Sequence, residues 1–287
     1  MTNLSDVLVP AAIAIIMFGI GLNLTLDSFR RVFIRPKAIL TGLSLQMIML
    51  PAIGLLIASV WKLDPSYKVG IVLIAACPGG TASNLVTHML QGRTALSISL
   101  TSFNSFLILF TIPFFTTLSL ELFTGQHQEV ALSFFDTFKN IGSTVIVPVI
   151  TGLFIRHYFK SLADRIRPYL KYILPAILLI VFLVVGLNAQ AGEGLIWDKL
   201  IHVLIPLLLL NITTILIGYW VAGEFKINQD GRYTISIEMG LQNSALAIFI
   251  ASNILNNQAI AMVAIVYSSF SFFTTLGLAY LLSKKNR

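Results

Sequence analysis

One stretch limits what this chain can become more than any other: Ile237-Glu238-Met239-Gly240-Leu241-Gln242-Asn243-Ser244-Ala245. It lies in the middle of an apolar segment running from about Tyr233 to Leu255, and about 20 such residues suffice to cross a bilayer. An acidic side chain at bilayer depth costs roughly 2.5–3.5 kcal/mol on insertion scales. A carboxylate, two amides, a hydroxyl and a glycine placed there need compensating partners. A bound cation meets that need, so the stretch reads as a binding site in a transporter.

The rest of the composition supports a membrane setting. Only 11% of the 287 residues are charged and 56% are hydrophobic, whereas a soluble domain carries about 25% charged residues. The expected class is therefore an all-α polytopic membrane protein. The net charge of +7 does not point to nucleic acid, because the charges gather at membrane boundaries. Cys77 is the single cysteine, which excludes an internal disulfide. The first apolar run, Leu8 to Leu24, lacks a basic leader and runs into a basic loop. It reads as a retained span rather than a cleaved signal.

Apolar runs between charged or turn-rich breaks predict nine spans, at about 6–27, 37–61, 67–90, 94–122, 132–157, 169–188, 198–222, 233–255 and 258–283. An odd count puts the termini on opposite sides. Of the 19 Lys and Arg residues, four (Lys62, Lys68, Lys139 and Lys199) fall on one side and the other 15 on the opposite side. The excess of basic residues marks the cytoplasmic side. The N-terminus is then expected outside and the C-terminus in the cytoplasm of a multi-pass inner (plasma) membrane protein, with the lipid bilayer as its surroundings.

A second break interrupts the third span: Cys77-Pro78-Gly79-Gly80-Thr81-Ala82-Ser83-Asn84. Pro78 removes a backbone donor, and the two glycines weaken the helix further. Lipid cannot satisfy backbone freed in this way, so protein, water or ligand must. Spans three and eight are five apart and so cross in opposite directions. Paired discontinuous helices of this kind are the sequence pointer to inverted repeats with a substrate site where the breaks meet. Gln46 in span two and Asn211 in span seven fit the same pairing, as do the hydroxyl-rich starts of span four and middle of span nine.

With both breaks read, the chain resembles the bile acid:sodium symporter family. The resemblance is carried by 77–84 and by Glu238-Met239-Gly240-Leu241-Gln242-Asn243-Ser244. Further matches are Met17-Phe18-Gly19-Ile20-Gly21-Leu22, Gln46 before Pro51, and Ala95-Leu96-Ser97 with Thr101-Ser102. It implies one transporter unit over 1–287, with a core domain at about 67–157 and 233–283 and a panel domain at about 6–61 and 169–222. Two broken helices would cross in the core. It also implies coupling of an organic anion, such as a bile acid or small carboxylate, to two sodium ions. Carried over by position, the first sodium site is Ser83, Asn84, Ser97, Thr101 and Glu238. The second is Gln46, Glu238 and Gln242 with the carbonyls of Met239 and Leu241. Thr81 and Asn243 fall on the substrate side. Ten-helix bacterial members have a further first helix that this chain lacks, as animal members do. A His-Asn pair that lines the cavity in some relatives is also absent, since Ser268–Phe273 reads Ser-Ser-Phe-Ser-Phe-Phe.

Each site residue also has a blander reading. Glu238 could hydrogen-bond a neighbouring span, and Gln46 could act as interhelical glue. Ser97 and Thr101, four apart on one helix face, could bond back to their own helix carbonyls. Against these, every proposed ligand is an oxygen, which suits a hard cation. A proton carried on Glu238 is the alternative coupling. An intramembrane enzyme is the distant one: no His-Glu-x-x-His, Gly-x-Ser-x-Gly or paired-Asp cluster occurs. No obligate protein partner and no nucleic acid is expected.

Overall fold

The computed structural model describes residues 4–24, 36–125, 139–170, 172–173, 176–177, 180 and 197–284, and the regular structure among them is entirely helical. In chain order the helices are α1 (Leu4–Asn23), α2 (Pro36–Val60, with a π turn at Leu45–Met49), α3 (Pro65–Ala76), α4 (Thr81–Met89) and α5 (Thr94–Thr124). There follow α6 (Lys139–Tyr158), α7 (160–170), α8 (Trp197–Glu224), α9 (Gln229–Gly240), α10 (Ser244–Phe249, continued by a π turn at Ile250–Ile254) and α11 (Gln258–Lys284).

Among the described residues six helical stretches are long and apolar enough to span a membrane, and α3 with α4, bent by 58° at their junction, make a seventh when taken as one broken span. The first expected span is α1, whose apolar part, Pro10–Asn23, falls short of that length. The sixth, 169–188, lies largely outside the described residues, as do the start of the fifth and the basic segment 25–35.

Local chemistry fixes the start of the first broken span and the break within it. Asp64 Oδ1 accepts from the Ser66 N–H at 2.9 Å and Pro65 opens α3, a pairing that satisfies an orphan donor and presets the first turn. Pro78 then denies the chain the next helical bond, and α4 restarts after Gly80. In the second break, α9 ends at Gly240, and Asn243 Oδ1 accepts from the Leu246 N–H at 3.2 Å to start α10.

The two broken spans lie side by side and antiparallel. At one end Tyr233 Oη, early in α9, donates to the Gln91 carbonyl just past α4 at 3.0 Å. At the other end Asn257 Nδ2, past α10, donates to Ser66 Oγ at the start of α3 at 3.3 Å. Helices α9 and α10 are buried along nearly their whole length, so this pair forms the middle of the bundle.

Elsewhere, α1 packs against α6 through Gly21 and Gly152. A Cβ on Gly152 would stand against the Phe18 carbonyl and 2.8 Å from the Leu22 nitrogen. Small residues allow such backbone approach where lipid gives no hydrophobic drive between helices.

Candidate functional site

The second break frees three consecutive carbonyls, and side chains from other helices take up all three. Gln46 Nε2 of α2 donates to the Glu238 carbonyl at 3.1 Å. The Met239 carbonyl accepts from Gln242 Nε2 at 2.8 Å and from Thr214 Oγ1 of α8 at 3.2 Å. The Gly240 carbonyl accepts from Asn211 Nδ2 of α8 and from Tyr267 Oη of α11, both at 2.7 Å. Backbone interrupted at this depth persists because protein groups replace the lost helical bonds.

The breaks touch directly. The Asn243 N–H donates to the Cys77 carbonyl at 3.1 Å. A Cβ on Gly79 would lie 2.7 Å from the Leu241 carbonyl oxygen, 3.0 Å from Ser83 Oγ and 3.2 Å from Glu238 Oε2. Gly79 is therefore the residue that lets the Leu241 carbonyl, the Ser83 hydroxyl and the Glu238 carboxylate converge.

Glu238 is fully buried, at 0% exposure, and among the described residues it makes no ion pair. Ser97 Oγ is hydrogen-bonded to its Oε1, and Gln46 Nε2 lies 3.3 Å from its Oε2. Ser97 also meets an acceptor on Asn84, so the geometry fits either a carboxylate that accepts the Ser97 proton or a protonated acid that donates to Ser97 Oγ. Neutral hydrogen bonds do not offset the several kcal/mol that burying a charge costs. An ionised Glu238 would leave the site short of one positive charge.

The hydroxyls of α5 divide into two groups. Ser99, Ser102 and Ser105 donate to carbonyls four residues back, at 2.6–2.8 Å. Ser97 does not: its Oγ lies against Glu238 and 2.6 Å from Asn84 Oδ1. One hydroxyl proton cannot serve two acceptors, so with Glu238 ionised Ser97, Asn84 and Glu238 gather more oxygen lone pairs than protons. Thr101, one turn further on the same face, has a buried Oγ1 with no hydrogen-bond partner. Gln242 Oε1 is buried and unpartnered too. They are two of eight such side-chain atoms among the described residues, and both belong to the expected ligand sets.

Of the first expected set, Ser97, Asn84 and Glu238 are bonded together and Ser83 meets Glu238 at Gly79, while Thr101 is aligned with them without a bond. Of the second set, Gln46 bonds Glu238, Gln242 bonds Met239, and the Leu241 carbonyl joins Glu238 at Gly79. Of the two residues expected on the substrate side, Thr81 is exposed and Asn243 partly so, beside Gly80. Sequence reasoning paired Asn211 with Gln46 without naming its partners, and assigned no role to Asn104, Thr214 or Tyr267. Asn211 stands out as an amide in an apolar run. Tyr267 gives no such signal, because a tyrosine is ordinary in a membrane helix. Among the described residues no three His, Cys, Asp or Glu side chains gather. The cage is a single carboxylate among neutral oxygens, which suits a hard, weakly charged cation.

The profile of the sodium bile acid symporter family matches residues 10–192. The chain belongs to that family. It is a family of transporters, not of enzymes. The profile match takes in the first break, and full-length relatives extend over the second. A probable chloroplastic sodium/metabolite cotransporter of rice (Oryza sativa), BASS1, is 31% identical over 256 residues, 89% of this chain and 61% of that protein. The uncharacterized sodium-dependent transporter YocS of Bacillus subtilis is 31% identical over 240 residues, 84% of this chain and 72% of that protein. The human ileal sodium/bile acid cotransporter is 28% identical over 239 residues, 82% of this chain and 66% of that protein. The chain spans about three fifths of the length of the plant relatives, 61% of BASS1 from rice and 62% of BASS1 from Arabidopsis thaliana.

Proposed function

We propose that this symporter-family chain couples inward movement of an organic anion to two sodium ions by alternating access. The observation that carries the proposal is the buried Glu238, without an ion pair among the described residues, together with the unpartnered oxygens of Thr101 and Gln242. One ion would take Ser83, Asn84, Ser97, Thr101 and Glu238. The other would take Gln46, Glu238, Gln242 and the carbonyls of Met239 and Leu241. In the second set Gln46 now faces Glu238 with its amide nitrogen, so that amide turns over to become a ligand, whereas Gln242 Oε1 already lies without a donor.

Two monovalent cations on one carboxylate leave net positive charge, which favours an anion alongside. The exposed Thr81 opens α4, and no side chain caps that helix at Gly80. The positive end of α4 therefore faces the space that Thr81 and Asn243 border. This supports a carboxylate-bearing substrate of the organic anion class.

We place the moving boundary between a panel and a core. The sequence put spans two and seven in the panel. We count them with the core, since Gln46 and Asn211 bond the second break, and we count span five with the panel, since α6 packs on α1. The multi-span apolar helices and the Bacillus relative fit a plasma-membrane protein. The charge asymmetry supports an outside N-terminus.

Uptake by proteoliposomes at fixed pH tests the coupling. A sodium gradient drives accumulation of an organic anion in the parent and not in Glu238→Ala. Uptake driven by a proton gradient with sodium absent would replace sodium by a proton on Glu238.

A further inference from the structure

One polar group near Glu238 remains without a role. Gln46 Nε2 faces two acceptors of the same residue, the Glu238 carbonyl at 3.1 Å and Oε2 at 3.3 Å. The backbone carbonyl is an acceptor in every state, so the amide must present nitrogen there. Gln46 Oε1 therefore points away, and it accepts from Asn104 Nδ2 at 2.7 Å. That contact in turn fixes the sense of the Asn104 amide. Asn104 is 1% exposed, and its Oδ1 is buried with no partner. Asn104 lies three residues beyond Thr101 and seven beyond Ser97, on the face of α5 that carries both.

A cation beside Glu238 needs the Gln46 oxygen, not its nitrogen. Rotation about the terminal torsion exchanges the two while scarcely moving the heavy atoms, and that torsion is soft. The turned Gln46 then directs Nε2 at Asn104, where the present arrangement has a donor. Asn104 must turn as well, and its Oδ1, unpartnered now, becomes the acceptor for Gln46 Nε2. We infer that Gln46 and Asn104 form a two-amide switch that turns over when a hard monovalent cation binds at Glu238, with Asn104 as the positioning residue. The inference rests on the reading of Gln46 and Glu238 as cation ligands.

The two states depend on Asn104 unequally. Without it, the unturned Gln46 keeps both contacts of Nε2 with Glu238 and loses only a partner for a carbonyl oxygen. The turned Gln46 keeps no partner for a buried amide N–H, which is the rarer and less tolerated orphan. Removing Asn104 therefore weakens cation binding.

Purified protein titrated with sodium chloride against choline chloride tests this, with melting temperature as the readout. Asn104→Leu raises the sodium midpoint about tenfold or more, as loss of a partner that orients a metal ligand does. Should the leucine variant fail to fold, Asn104→Ser, too short to reach Gln46, gives the same shift. In parent protein carrying 13C in its asparagine side chains, sodium moves a buried C=O infrared band to lower frequency, as Asn104 Oδ1 gains a donor, besides any change at the ligand Asn84. The Asn104 component is the part of the sodium difference spectrum that is absent from the variant. A variant midpoint within twofold of the parent, or a variant asparagine difference spectrum identical to that of parent protein that sodium stabilises, overturns the switch. Loss of sodium stabilisation in Glu238→Ala while the Asn104 variants match the parent removes the switch alone. A parent that does not respond to sodium at all removes the cation reading beneath it as well.

Discussion

The backbone N–H of Asn243 donates to the carbonyl of Cys77 at 3.1 Å, and this bond ties the two interrupted helices together. It forms only because the chain at Gly79 approaches the Leu241 carbonyl so closely that a Cβ would lie 2.7 Å from it. The obstacle there is backbone, which cannot rotate away as a side chain would. Gly79→Ala should therefore part the breaks, at an overpacking cost of about 1–3 kcal/mol, and abolish sodium-dependent stabilisation. Gly80→Ala meets nothing nearer than Asn243 Nδ2 at 3.7 Å, and its melting temperature and sodium response should match the parent. Thermal melts of both variants with and without sodium check this, and equal behaviour of the two would contradict it.

A second glycine contact separates stability from ion binding. Gly152 lets α6 meet the backbone of α1 at Phe18 and Leu22, and none of the hydrogen bonds to Glu238 comes from either helix. Gly152→Ala should lower stability by about 1–3 kcal/mol with an unchanged sodium midpoint. Denaturation curves run across a sodium series measure both quantities on one sample. A shifted midpoint would show that the contact of α1 with α6 reaches the proposed ion site.

Both breaks could be read from the sequence because their residues contradict their setting: Pro78 with two glycines, and Glu238 with two amides, each inside an apolar run. A strong local violation survives translation into structure because nothing in lipid can mask it. Helix edges were legible for the same reason. The expected 94–122 appears as Thr94–Thr124 and 258–283 as Gln258–Lys284. What the sequence could not show was which distant side chains quench the freed carbonyls. Tyr267 and Thr214 look like ordinary helix residues until the fold brings them to Gly240 and Met239. Nor could it say which α5 hydroxyls turn back on their own helix. Ser99 and Ser97 have the same chemistry, and only the face each occupies separates them.

Asn243 acts twice, and the two roles can be separated. Its backbone N–H holds Cys77, which any residue but proline preserves, while its side chain caps α10 at the Leu246 N–H. Asn243→Ala should lose about 1 kcal/mol of cap energy yet keep the breaks joined and the sodium response near that of the parent. With its amide gone from the exposed side beside Thr81, stabilisation by an organic anion should fall much further. Ligand stabilisation grows as the logarithm of concentration over dissociation constant, so the two responses are compared over full titrations. Equal loss of both would place the side chain with the ions rather than the substrate.

A pH effect is expected away from the proposed ion site. Asp164 on α7 pairs with Arg156 at the end of α6 and lies 3.7 Å from Arg167, whose Nε donates to Asn23 Oδ1 at the end of α1 at 3.0 Å. The Arg156 hydrogen bond holds the Asp164 carboxyl below its ordinary value of 3.8. A carboxylate with a depressed folded value contributes stability above its unfolded value and loses it as the pH falls through the folded one. Parent and Asp164→Asn protein should therefore differ by a constant amount above about pH 5, and the difference should close as the pH drops below 3.8. The group is solvent-exposed, so the effect is small and shrinks further in high salt. Melting temperatures of both proteins from neutral to acid pH, at low and high ionic strength, would show it. A difference that widened on acidification would mean that Asp164 is not held as the anion in the folded state.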